Sequence, residues 1–194
     1  PRGLALIISP WNYPVQLTLS PLIAAICAGD VAVIKPSELA PAVATWCTQN
    51  IPKYLDPRAY AVIEAGPEKT SELLKEPFDL IFFTGSTKTA HYIARAAAEH
   101  LTPTVLELGG KSPCIVTHCD HLTTAAKRIA FAKFTNAGQT CVAPDYILVQ
   151  EDLKSPLENA LKKAIIEQFG PENAPNQFTH IIHSGHFKRL DSML

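Results

Sequence analysis

Short apolar runs alternate with longer stretches whose apolar residues recur at helical spacing. LALIIS over 4–9, VAVIK over 31–35, YAVIEA over 60–65 and LIFFTG over 80–85 read as strands with few polar interruptions. A strand that is apolar on both faces needs cover on both faces, which is the condition of a parallel sheet flanked by helices. The stretches 13–29, 41–54, 67–76 and 87–100 are long enough to be crossover helices. The order βαβαβαβα predicts an α/β fold with a doubly wound parallel sheet, whose ligands bind beyond the carboxyl ends of the strands.

After TVLEL at 104–108 the rhythm changes. GGKSP interrupts it, CIVT opens a new strand, 121–137 reads as one helix with Gly138 as its C-cap, and YILVQ at 146–150 and the stretch 152–169 add a strand and a helix before the loop 170–177. The pattern therefore predicts two domains, 1–107 and 108–194.

Composition narrows the function classes. Seventeen Lys and Arg against 18 Asp and Glu give a net charge of −1, which offers no footprint for nucleic acid. No apolar run reaches the roughly 18 residues of a spanning helix. Five cysteines at irregular spacing argue against a disulfide framework and for a reducing, cytoplasmic compartment. Cys27, Cys47 and Cys114 sit in apolar sequence and read as packing residues.

The candidate chemistry follows the strands. Pro10-Trp11-Asn12-Tyr13-Pro14 brackets an amide between two prolines, as a rigid turn or as a preorganised oxyanion donor. Lys35 and Glu38 flank a proline turn, either as a surface ion pair or as hydrogen-bond partners of a ribose. Gly85-Ser86-Thr87 opens a helix, as a cap or a phosphate site, although the chain holds no G-x-G-x-x-G. GGKS at 109–112 lacks the earlier glycine of a nucleotide-hydrolysing loop, because Val105 stands there. Glu107 at a strand mouth reads as a carboxylate awaiting a cation or as a base raised by burial. Cys141, in the turn after NAGQT, is a structural thiol or a nucleophile. Cys114, His118, Cys119, Asp120 and His121 have metal-binding residue types at a spacing unsuited to zinc.

PWNYP, KPSE, FTGST, LELGGKSP and NAGQTCVAPDY occur in this order, and the chain resembles the aldehyde dehydrogenase superfamily, most of all its class 3 and fatty-aldehyde branch. The resemblance implies an NAD(P)-binding Rossmann-like domain over 1–107 and part of a catalytic domain over 108–194. It implies Cys141 as nucleophile, Glu107 as general base, and Asn12 as oxyanion donor with the Cys141 backbone N–H. Lys35 and Glu38 would hold the adenosine ribose, Gly85 and Ser86 the phosphate-side turn, and Trp11 the cofactor channel. The implied reaction oxidises an aldehyde to a carboxylic acid through a cysteine thiohemiacetal and thioester, with NAD as cofactor and NADP as the alternative. Tyr13 and Phe134 suggest an apolar entrance for medium- or long-chain aliphatic or aromatic aldehydes, with core packing as the alternative for both. Ala90 departs from the family, which has a second glycine there. Relative to the family the chain reads as a fragment. Its longer form is expected to be a homodimer, and a C-terminal membrane anchor stays open. Two rival readings are a catalytically silent module that binds nucleotide or a partner, and a coenzyme A-acylating dehydrogenase, which Glu107 speaks against.

Overall fold

The computed structural model describes residues 1–171 and 178–194, which form two compact units, Pro1–Gly109 and Gly110–Leu194. In the first, β1 (Leu4–Ile8), β2 (Val31–Lys35), β3 (Tyr60–Val62), β4 (Leu80–Thr84) and β5 (Thr104–Glu107) build one sheet in the order β3-β2-β1-β4-β5. Every pairing in it is parallel. The central strand β1 is the most apolar, and Ala5 to Ile8 are all buried.

Alternation of side chains divides the core into two layers. Ala5, Ile7, Ala32 and Ile34 meet Leu22 of α1 (Gln16–Ala28) and Cys47 and Ile51 of α2 (Pro41–Tyr54). On the other face, Leu6, Ile8, Ile81 and Phe83 pack with Leu74 and Phe78, which follow α3 (Pro67–Leu73), and with Ala90, Ile93 and Ala97 of α4 (Thr87–Glu99). This is a doubly wound α/β sheet. Proline stands at the start of α2 and α3, where its missing N–H costs no helical bond. Ala90 lies at 4% exposure within the second layer, where its methyl group is part of the core.

In the second unit β6 (Ser112–Val116) and β7 (Pro144–Val149) pair in parallel, and α5 (Leu122–Phe134) and α6 (Lys154–Phe169) pack through Ala126, Ala130, Leu157 and Ala164. Two expectations are corrected here, and one element is added. The helix expected over 121–137 stops at Phe134, because Asn136 and Ala137 turn left-handed with φ of 54° and 53° ahead of Gly138. Cys27 is exposed rather than packed: α1 is apolar on every side, so its sequence does not mark which side faces the sheet. A helix absent from the sequence reading, α7 (Ser184–Asp191), starts on His183, whose Nδ1 accepts from the Gly185 and His186 N–H groups. The loop expected over 170–177 lies outside the described residues at 172–177.

Candidate active site

Parallel strands end at a common edge, and the first unit places its candidate residues there. The register sets Ile8 opposite Lys35 and Phe83, and Thr84 opposite Glu107. Trp11 and Asn12 follow β1, Lys35 ends β2 with Glu38 just beyond, Gly85 and Ser86 follow β4, and Glu107 ends β5. Residues scattered over a hundred positions are thereby brought to one side of one sheet.

Lys35 is buried at 4% exposure, and its ammonium donates to the Glu38 carboxylate at 2.8 Å and to the Pro36 carbonyl at 3.1 Å. A surface ion pair does not describe this arrangement, since the cation is inside and only the carboxylate reaches water. Partial burial pushes the Glu38 carboxyl upward. The hydrogen bond from Lys35, the bond to its own backbone N–H and the charge of Lys35 outweigh that and hold it below the usual value. Beside this pair a cavity of about 550 Å³ is lined by Pro36, Glu38, Pro41, Ala44, Glu64, Gly66, Glu68 and Lys69. Its size lies in the range of small-ligand sites. Three carboxylates against one lysine in that lining favour hydroxyl and amine groups over phosphate.

Ser86 caps α4, its Oγ accepting from the Thr89 N–H at 3.2 Å. Gly85 donates its N–H to the Glu107 carbonyl at 3.0 Å and lies against the Phe83 ring, where a Cβ would come within 2.5 Å of Cζ. Glycine is needed at 85 for that close approach. Burial does not act on Glu107: its side chain is exposed, and no ion pair among the described residues includes it. The physical reason is position, since β5 is an edge strand and the helices on its Val105 side, α1 and α2, pack over β1 and β2.

In the second unit Cys141 is an exposed thiol in the turn between the left-handed stretch Asn136–Gly138 and β7. A Cβ on Gly110 would stand 3.0 Å from the Cys141 carbonyl oxygen, so glycine at 110 lets the chain pass against the thiol's own backbone. Lys111 and Asp145 pair at 3.3 Å across β6 and β7 nearby. Phe134 packs with other rings, 5.6 Å from Phe169 and 6.1 Å from Phe178, in an aromatic cluster. Gln139, to which the sequence reading gave no role, bonds the 180–182 segment. Among the described residues no cluster of His, Cys, Asp or Glu could hold a metal ion, and no helix is long and apolar enough to cross a membrane.

Residues 1–194 match the Aldehyde dehydrogenase family. The chain belongs to that family. Rat Aldehyde dehydrogenase family 3 member B1 is 48% identical over 197 residues, covering 100% of this chain and 42% of that protein. The solved substrate-bound state of Staphylococcus aureus AldH aligns with a TM-score of 0.91 at 48% identity, covering 100% of this chain and 43% of that one. Mycobacterium tuberculosis aldehyde dehydrogenase complexed with NAD+ aligns with a TM-score of 0.88 at 29% identity, covering 100% of this chain and 41% of that one. The chain thus spans about two fifths of the length of these family members.

Proposed function

We propose that this chain carries the chemical residues of an NAD-dependent aldehyde oxidation, with Cys141 as nucleophile, Glu107 as general base and Asn12 as oxyanion donor. The observation that carries the reading is the gathering of Asn12, Lys35, Glu38, Gly85, Ser86 and Glu107 at the carboxyl edge of one parallel sheet, where α/β folds bind nucleotides. The residues there fit the cofactor. Lys35 uses two of its three donors on Glu38 and Pro36, and Glu38 presents a half-exposed acceptor at the mouth of the cavity. Lys35 and Glu38 would hold the ribose, the N-terminal turn of α4 at Ser86 the phosphate side, and the backbone at Trp11 the channel. When bound, the nicotinamide supplies the hydride acceptor. NAD is favoured over NADP because an ionised Glu38, with Glu64 and Glu68 in the same lining, repels a 2′-phosphate.

The protein's share of the chemistry is covalent and acid–base. The Cys141 sulfur adds to the aldehyde carbon, and the Asn12 amide and the Cys141 backbone N–H stabilise the oxyanion of the thiohemiacetal. Loss of hydride leaves a thioester on Cys141. Glu107 takes a proton from the water that attacks it, releasing the carboxylic acid and restoring the thiol. Exposure of Glu107 and Cys141 leaves both open to substrate and water. The substrate class is an apolar aldehyde, aliphatic or aromatic, for which Tyr13 and Phe134 would supply the apolar entrance. A homodimeric longer protein and a cytoplasmic setting belong to the same proposal, and the five free thiols suit the latter.

The test is aldehyde-dependent NADH formation by purified protein, compared with Cys141→Ala. The proposal expects turnover that the substitution abolishes. Turnover unchanged in Cys141→Ala would refute the nucleophile, and nucleotide binding without any turnover by the unaltered protein would favour the silent module.

A further inference from the structure

The turn that carries Cys141 is held in a conformation that its own sequence disfavours. Asn136 and Ala137 adopt φ of 54° and 53°, and Gly138 follows at 72°, three successive residues in the left-handed region. For an alanine this costs energy through crowding of its Cβ, so the surroundings must hold it there. The Gln139 side chain is placed to do this. Its Nε2 donates to the Asn136 carbonyl at 3.0 Å and to the His180 carbonyl at 3.2 Å, while its Oε1 accepts from the Ile182 N–H at 2.9 Å.

The amide orientation is fixed by these partners, because the reverse placement would set an N–H against an N–H and an oxygen against two carbonyls. To the 180–182 segment, Gln139 presents one acceptor and one donor, as the backbone of a neighbouring strand does. To its own turn it contributes a donor that pins the Asn136 carbonyl. No other side chain of this length does both: glutamate has no donor when ionised, methionine has the bulk without the hydrogen bonds, and asparagine is one methylene short.

We propose that Gln139 is a positioning residue, an amide clamp that ties the left-handed Asn136–Gly138 turn to the 180–182 segment and so fixes where Cys141 is presented. The segment has a second anchor. Phe178 stacks edge-on with Phe134 and Phe169, the last residues of α5 and α6, at 6.1 and 5.7 Å. Loss of the clamp therefore releases the turn locally while the aromatic cluster keeps the unit folded. The clamp is a geometric statement about this chain, and its effect on turnover rests on the role of Cys141 proposed above.

Gln139→Met and Gln139→Glu test it together, with circular dichroism showing that both fold. Hydrogen exchange at the Ile182 amide should speed up by about tenfold in Gln139→Met, the change expected when one hydrogen bond is lost, whereas Gln139→Glu keeps an acceptor for that amide and loses the donor to the Asn136 and His180 carbonyls. Alkylation of Cys141 by iodoacetamide, followed by peptide mass spectrometry, should change severalfold in rate while Cys27 in the other unit keeps its rate. In aldehyde oxidation kcat should fall by about tenfold or more with the aldehyde KM little altered, since a small misplacement of a reacting group is costly. Wild-type exchange at Ile182 and wild-type Cys141 alkylation in Gln139→Met would overturn the clamp and leave only bulk at that position. If the unaltered protein oxidises no aldehyde, the proposed reaction fails, and the exchange and alkylation rates still decide the clamp.

Discussion

Gly85→Ala separates a packing requirement from a cofactor requirement at the turn after β4. The added Cβ would lie 2.5 Å from Phe83 Cζ and 3.1 and 3.2 Å from the two Cε atoms. Favourable carbon contacts begin near about 3.5 Å, so the ring must retreat by about 1 Å. Phe83 is 4% exposed and is enclosed by Leu6, Ile8, Ile81, Ala90 and Ile93, which leave it little room. Overpacking of this kind costs about 1–3 kcal/mol. Gly85 is not among the residues with positive φ, so alanine also restricts the unfolded chain and returns about 0.4–1 kcal/mol. The net expectation is a loss of about 1.5 kcal/mol, or about 6–12 °C in the unfolding midpoint of a unit this size. Phe83→Leu should cost about 1.5 kcal/mol alone, and the double variant should cost less than the sum by about 1 kcal/mol or more, because the smaller side chain makes room for the methyl. Urea unfolding of the four proteins measures the cycle. A Gly85→Ala midpoint equal to wild type, or a coupling of zero, would refute the close-approach argument.

The Lys35–Glu38 pair predicts an acid sensitivity with a definite sign. The Glu38 carboxyl titrates lower in the folded state than its ordinary 4.5, so the pair's stabilisation is present above that value and fades as pH falls through the folded one. The stability gap between wild type and Glu38→Gln in urea should accordingly narrow from pH 6 to pH 3. Burial first, and the Glu64 charge second, push the Cys47 thiol up, so in the folded protein Cys47 should resist iodoacetamide at pH 8 while Cys27 and Cys141 are labelled. Gly110→Ala sets a methyl 3.0 Å from the Cys141 carbonyl. It should leave the protein folded and shift the Cys141 alkylation rate severalfold, read by the same peptide mapping.

The sheet was legible because its central strands are buried on both faces: Leu4 to Ile8, Val31 to Lys35 and Leu80 to Thr84 are unbroken apolar runs ended by polar or turn residues. The end of α5 was not, since Thr-Asn-Ala-Gly contains nothing that forbids one more helical turn, and the left-handed path is held by contacts remote in sequence. The role of Gln139 leaves no mark in the sequence for a related reason. Its partners are backbone atoms of His180 and Ile182, and backbone atoms leave no residue-type signature. The helix α7 is only eight residues long and mostly polar, and its cap is an imidazole rather than one of the usual hydroxyl, carboxylate or amide caps. Glu107 was recognisable as a carboxylate at a strand mouth, but its exposure follows from β5 being an edge strand, a fact of topology that the residue itself does not encode.

In the proposed chemistry an acyl group passes through Cys141 and leaves with the help of Glu107. Intact-mass and peptide mapping of Glu107→Gln incubated with NAD+ and an aliphatic aldehyde measures this directly. The expected result is an accumulating adduct of the acyl mass on Cys141, weaker in wild type because hydrolysis removes it and absent in Cys141→Ala. NADH formation with no adduct on Cys141, or an adduct that maps to another cysteine, would contradict it.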